Sequence, residues 1–230
     1  YRGVDALDRD CAALRAVELP ASSEVTFTLR RVSAGFHRAP AVDAAVGDSS
    51  LLLEDCLFQQ NGYNPAIWVS ALPAVRLQTQ GESRVRLDRV RFIDNDSGAA
   101  HLWALGPSGR LSVWVGPGCD IIDNFWRVFR AGADDGGQVQ IDLAGTRDQP
   151  ITLDDNFRGL ELTLNENSSL EARNVIATDS RYEGLRLVMT GRPARARFEN
   201  CLFAVNGVAP FYRYDLDHPT NVHLENTSGV

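Results

Sequence analysis

Apolar and polar residues alternate in short runs along most of the chain, with the two-residue period of a β-strand. Leu51-x-Leu53, Val85-x-Leu87 and Ala196-x-Phe198 are the clearest runs, and Phe27-x-Leu29, Leu170-x-Ala172 and Val222-x-Leu224 are weaker copies. Two residues after each of the clear runs comes a recurring segment, Cys56-Leu57-Phe58-Gln59-Gln60-Asn61, Val90-Arg91-Phe92-Ile93-Asp94-Asn95 and Cys201-Leu202-Phe203-Ala204-Val205-Asn206. Cys119-Asp120-Ile121-Ile122-Asp123-Asn124 and Ile151-Thr152-Leu153-Asp154-Asp155-Asn156 share its form. A second alternating run follows the Asn, as in Ile67-x-Val69, Leu160-x-Leu162-x-Leu164 and Leu185-x-Leu187-x-Met189.

The first residue of the segment, or its equivalent, falls at 32, 56, 90, 119, 151, 175, 201 and 227, at spacings of 24 to 34 residues. Units of this length with two or three short strands each predict a solenoid of stacked coils. Helical repeats need apolar residues at i, i+3 and i+4 over ten or more positions, which these units lack. Leucine-rich repeats need a different asparagine spacing. A β-sandwich also has strands every 8 to 12 residues, but it does not make the same side-chain types recur at equivalent places. In a solenoid they recur because equivalent positions stack about 4.8 Å apart. Val4, Leu7, Cys11, Leu14 and Val17 recur instead at helical spacing. Residues 1–20 are therefore read as an amphipathic helix capping the first coil, which would otherwise expose unpaired backbone, and residues 21–230 as one β-helix domain.

The segments from Leu51 to Gly62 and from Ala196 to Gly207 resemble the coil of right-handed parallel β-helix proteins, the pectate-lyase-like group and related bacterial surface β-helices. The resemblance covers roughly residues 24 to 230. It implies an all-β fold, a single-stranded right-handed parallel β-helix of about eight coils with an N-terminal α-helical cap. It also implies an extracellular or cell-envelope location in a bacterium. It selects no activity, because one coil pattern serves lyases, hydrolases, epimerases and adhesins alike.

Composition adds boundaries. The 230 residues carry a net charge of −7, from 30 acidic and 23 basic residues, and every basic residue is Arg. An acidic balance argues against a nucleic-acid partner. No run of 18 apolar residues exists, so no membrane-spanning helix is expected. The chain opens on Tyr and ends inside a coil-like pattern, which reads as a piece of a longer chain. None of the four Cys forms a C-x-x-C pair. Cys56, Cys119 and Cys201 occupy one equivalent inward site on coils two, four and seven, too far apart for disulfides, so free buried thiols are expected.

The recurring Asn61, Asn95, Asn124, Asn156 and Asn206 are read as a structural ladder closing the turn, in left-handed conformation. Trp68 and Trp114 alternate with inward residues and should point outward. With Trp103 and Trp126, which follow the asparagine turns of their coils, they are candidates to stack on sugar rings or to meet a protein partner. The long units around 56–90 and 119–151 carry inserted turns, including Gly132-Ala133-Asp134-Asp135-Gly136-Gly137, and such inserts often form a binding face. Paired acids stand at Asp94/Asp96, Asp120/Asp123, Asp134/Asp135 and Asp154/Asp155. The β-helix hydrolases of the resembled group place Asp pairs and a Gly-His-Gly on successive strands, and no Gly-His-Gly is present here. The expectation is a non-catalytic scaffold or binding domain, without cofactor, that contacts a glycan or a protein. The alternative is a polysaccharide lyase or glycoside hydrolase acting on an acidic polysaccharide, with Asp94, Asp120, Asp123 and Asp154 in one groove, an Arg beside them and Ca2+ where the chemistry needs it.

Overall fold

The computed structural model of the chain describes residues 14–16, 25–35, 40–61, 73–96, 98–125, 128–190, 193–204, 206 and 222–226. They build a right-handed parallel β-helix of about six turns, and no helix occurs among the described residues. The coil repeats three strands in order. These are β1 (Leu14–Ala16), β2 (Val25–Arg30) and β3 (Ser33–Gly35), then β4 (Val42–Val46), β5 (Ser49–Glu54) and β6 (Leu57–Gln59). β7 (Val75–Thr79), β8 (Glu82–Asp88) and β9 (Arg91–Ile93) precede β10 (Ala100–Leu105), β11 (Arg110–Val115) and β12 (Asp120–Ile122). β13 (Phe129–Asp134), β14 (Gln138–Ala144) and β15 (Ile151–Asp154) precede β16 (Leu160–Leu164), β17 (Ser169–Arg173) and β18 (Val175–Thr178). β19 (Leu185–Met189), β20 (Arg195–Glu199), β21 (Leu202–Ala204) and β22 (Val222–Asn226) complete the series. Every third strand pairs in parallel, so a first sheet runs from β1 to β22, a second from β2 to β20 and a third from β3 to β21.

The register agrees with the repeat. In the second sheet Phe27, Leu51, Val85, Val113, Ile141, Leu170 and Ala196 stand in one column. In the third, Ala34, Phe58, Phe92, Ile121, Leu153, Ala177 and Phe203 do the same. The inner columns form the core, where Phe58 and Phe92 stack with ring centroids 5.3 Å apart and planes 17° apart. Alternation along the strands makes this possible, because the apolar face of β5 to β19 closes on the other two sheets, whereas β20 is exposed along its whole length.

Val222-x-Leu224 departs from the expected alignment. It forms β22, which pairs with β19 in the first sheet and not with β20 in the second. Apolar alternation is the same in both sheets, so a lone run does not say which sheet it joins. Ile67-x-Val69 lies outside the described residues, and so does most of the expected capping helix. Within residues 1–20, Leu14–Ala16 is a strand rather than a helix, because it supplies the parallel partner that Val42–Ala44 would otherwise lack. Gly132–Asp134 is likewise no insert but the end of β13, followed by the ordinary corner Asp135–Gly137. The extra residues of that unit lie at 145–150, where the Thr146 N–H donates to the Gln149 carbonyl at 3.0 Å.

Two corners of the coil turn on one residue with positive φ. Between the second and third sheets these are Arg31, Asp55, Arg89, Asn174 and Asn200, with φ of 50° to 54°. Between the third sheet and the next coil they are Gln60, Asp94, Asp123, Asp155 and Asp179, with φ of 48° to 53°. The left-handed residue is thus the one before the recurring Asn, not the Asn itself. The Asn must turn inward to bond neighbouring coils, and Asn61, Asn95, Asn124 and Asn156 are fully buried. Asn95 donates from its backbone N–H (3.1 Å) and its Nδ2 (2.8 Å) to Oδ1 of Asn124. Asn124 donates in turn to Oδ1 of Asn156, at 2.9 and 3.2 Å. Each Nδ2 also donates to a backbone carbonyl of the preceding coil, Phe58 for Asn95 and Phe92 for Asn124. Ser180 takes the next position, and its buried Oγ has no hydrogen-bond partner. Its N–H donates to Oδ1 of Asn206 at 3.0 Å, where the ladder resumes.

Cys56, Cys119 and Cys201 are free and share one column of the third-sheet corner. Burial pushes the Cys119 thiol up to about 11, which keeps it protonated. Cys201 is half-buried.

Replacing Asn124 with Ala removes five hydrogen bonds and strands the buried Asn95 donors. Urea unfolding followed by circular dichroism should show a loss of roughly 2–4 kcal/mol. Ser180→Asn should instead stabilise, by about 1 kcal/mol, by completing the ladder. Equal stability of wild type and Asn124→Ala would contradict the ladder's role.

Candidate functional site

The residue after the recurring Asn starts the path from the third sheet to the next coil. The N–H groups of Phe125 and Phe157 donate to the Asn95 and Asn124 carbonyls of the preceding coil, both at 2.9 Å, and that of Tyr182 donates to Phe157 O at 3.0 Å. This backbone pairing stacks the side chains up the corner. Phe125 and Phe157 have centroids 4.8 Å apart with planes at 55°, and Phe157 and Tyr182 4.6 Å apart with planes at 49°. Phe125 is 45% exposed, so the stack presents aromatic surface to solvent.

Beside this corner, the outer face of the first sheet carries a buried ion cluster. Glu161, on β16, is covered by its neighbours and is 4% exposed. Arg130 on β13 reaches it with Nε 3.3 Å from Oε1, and Arg186 on β19 with Nη1 3.8 Å from Oε1. Arg158, just before β16, places Nη1 3.8 Å from Glu161 Oε2 and Nε 3.6 Å from Glu183 Oε2. Glu183, on the next coil, is 5% exposed. One buried carboxylate therefore gathers guanidinium groups from three successive coils. The cluster is joined to the aromatic stack, because Arg158 lies over the Tyr182 ring at 5.3 Å. Toward earlier coils it joins Trp103, over which Arg130 lies at 4.3 Å.

Trp103 points outward from β10 but is 3% exposed. Its Nε1 donates to Asp134 at 2.6 Å, His101 meets its edge, and its ring lies where a Cβ on Gly132 would collide. Trp114 points outward from β11 as expected, half-buried, with Arg86 over its ring at 4.1 Å. Trp68 and Trp126 lie outside the described residues. Both described tryptophans are thus engaged by arginines, whereas Phe125, at 45%, and Phe198, at 37%, are the exposed phenylalanines among the described residues.

The candidate acids lie along the third sheet and its corner. Asp120 and Asp154 stand on β12 and β15; Asp120 pairs with Arg91 at 3.5 Å, and Asp154 accepts from Thr178 Oγ1 at 2.8 Å. Asp94 and Asp123 are the left-handed corner residues of adjacent coils, in one column with Asp155 and Asp179. Burial first, then the neighbouring Asp155 and Asp94 carboxylates, raises the Asp123 pKa from its ordinary value. Asp96 is raised by burial and by Asp94. Among the described residues, no group of three or more His, Cys, Asp or Glu is arranged to hold a metal ion. No described helix is long and apolar enough to cross a membrane. A shallow polar depression of about 550 Å³ lies at the corner after the first sheet, lined by Asp134, Asp135, Gln138, Asn165, Glu166 and Thr190.

Phe125, Phe157, Tyr182, Glu161 and Glu183 are not among the candidates drawn from the sequence. The Asn-Phe pairs at 124–125 and 156–157 are a visible signal for the first two. Glu161 becomes visible only once Arg130, Glu161 and Arg186 are aligned in register. No family model, curated protein or solved structure matches the chain.

A raised carboxylate means that the folded state holds its proton where the unfolded chain has released it. Stability contributed this way is present below the ordinary carboxylate pKa of about 4 and is lost as pH rises through the raised value. Asp123→Asn should therefore flatten the stability profile in that window and raise stability at neutral pH. Denaturant midpoints measured across the acid range check this, and an unchanged profile would contradict the crowding of the Asp column.

Proposed function

We propose that this chain is a non-catalytic β-helix scaffold and binding domain of the pectate-lyase-like kind, and that it contacts a polymeric glycan along the third-to-first-sheet corner. The observation that carries this reading is the Phe125–Phe157–Tyr182 stack, whose Phe125 is 45% exposed. Exposed aromatic surface costs free energy in water, and its apolar ring face suits the C–H face of a sugar. A solenoid sets such rings along its axis at the coil spacing, in the direction an extended polymer would follow. The four acids of the enzymatic alternative support it less well. Asp120 is engaged by Arg91 and Asp154 by Thr178, and Asp94 and Asp123 hold the left-handed turn. The reading includes an extracellular or cell-envelope location in a bacterium, where such polymers are presented. Burial of the Cys56 and Cys119 thiols is compatible with an oxidising compartment.

A panel of immobilised polysaccharides tests the proposal. Wild type should be retained by at least one, and Phe125→Ala should weaken that binding roughly three- to tenfold with unchanged stability. Failure of every polysaccharide to retain the protein would overturn it. Release of new chain ends from the same polymers, with and without Ca2+, would establish the lyase or hydrolase alternative instead.

A further inference from the structure

We infer that the end of the solenoid formed by β20, β21 and β22 is the face on which a second copy of this chain docks, the two copies related by a twofold axis beside β21. The inference goes beyond the glycan reading and does not rest on it.

At this end the core is open. Ala196 and Phe198 stand in the inward columns of the second sheet, yet every residue of β20 is exposed, and Phe198 is 37% exposed. Phe203, in the inward column of the third sheet, meets the Phe198 ring edge-on at 6.0 Å and is only half-buried. Leu202, on the outer face beside it, is 50% exposed. The backbone is open as well. The Arg195 N–H donates to the Ser168 carbonyl, and the Glu199 carbonyl accepts from the Asn174 N–H, both on the β17 side. Successive residues of a strand turn their polar groups to opposite sides, so Ala196 and Phe198 turn theirs to the free edge, where no described strand pairs with β20. A further strand would satisfy both the apolar side chains and these backbone groups.

The order of strands says which strand fits. Among the described residues β20, β21 and β22 are each the last of their sheet, with 5, 3 and 5 residues. A twofold axis normal to the third sheet sets β21 antiparallel to its own copy and β20 antiparallel to β22 of the second copy. All three sheets then continue into the second molecule. The coil has the symmetry this needs, because one-residue left-handed corners flank the third sheet on both sides. Head-to-tail stacking does not fit. Placing β2 of another copy on β20 brings its β1 to the place in the first sheet that β22 already holds. The contact is therefore isologous and closes at two copies.

The charges are self-complementary. Val222 and Leu224 stand abreast of the buried Leu185 and Leu187. Two antiparallel registers keep the row of Ala196 and Phe198 in line with the row of Val222 and Leu224. One places Glu225 opposite Arg195, and the other places it opposite Arg197. The outer face of β21 carries only Leu202 and Ala204, so no like charges meet at the axis.

Sedimentation velocity over a dilution series tests this. The chain should pass from monomer to dimer and to nothing larger. Leu202→Asp should weaken dimerisation about tenfold or more. Glu225→Arg and the double variant Arg195→Glu, Arg197→Glu should each weaken it too. An equal mixture of those two variants should restore the dimer, because only the mixed pair sets opposite charges at both contacts between β20 and β22. In hydrogen exchange, the Ala196 and Phe198 N–H groups should be protected in the dimer and exchange freely on dilution. Melting profiles check that each variant folds, and Leu202→Asp alone decides the matter if the charge variants do not. A monomer at every concentration would overturn the proposal, whether those two amides are exposed or protected by another segment of the chain. Species that grow beyond two copies would overturn the twofold arrangement. A dimer indifferent to Leu202→Asp and to the charge variants would overturn the assignment of the face.

Discussion

A chain that closes on itself every 24 to 34 residues must bring backbone and side-chain polar groups into a narrow interior at each corner, where water does not reach them. The asparagine column meets this constraint. The amides of Asn95, Asn124 and Asn156 each accept from the backbone and side chain of the Asn on the preceding coil and donate to that coil's carbonyl, so one residue type satisfies these corners and sets coil-to-coil register together. The strand columns then follow, because a register fixed at the corner leaves apolar residues directly above one another.

The turn itself is made by the residue before the Asn. A positive φ is tolerated by Asp and Asn more readily than by other side chains, and four of the five residues in that row are Asp. The price is a stack of carboxylates one coil apart, felt at Asp123. On the other side of the same Asn, the row turns aromatic and meets the buried Glu161 cluster. Structure and candidate chemistry thus share a corner, and the fold places an acidic row, an aromatic row and an arginine patch side by side.

The seven aligned positions from Val32 to Cys201 were legible in sequence, since an inward apolar site and the Asn five residues on recur at each clear copy. The eighth was not, because Val222-x-Leu224 has the alternation common to two sheets and its pairing depends on a strand 37 residues earlier. The inward role of Asn was legible, but its conformation was displaced by one residue, since a turn signal does not say which of two adjacent residues carries the left-handed φ. Trp114 reads as outward from its neighbours, and it is; Trp103, whose direction was not read from the sequence, also points outward, and its burial depends on Arg130, Asp134 and Gly132, residues of the next coil. Glu161 looks like a solvated residue in Leu-Glu-Leu-Thr-Leu. Only neighbours from other coils make it a buried hub, and such contacts are not written in local alternation.

The central claim is that the buried asparagine column holds the coils together. Residue-resolved amide hydrogen exchange tests it most directly. The N–H groups of Asn61, Asn95 and Asn124 lie outside strands yet donate to the next Asn Oδ1. They should exchange as slowly as the central strand amides of β8 and β11. Exchange at the rate of the exposed corner amide of Ser108 would contradict the account.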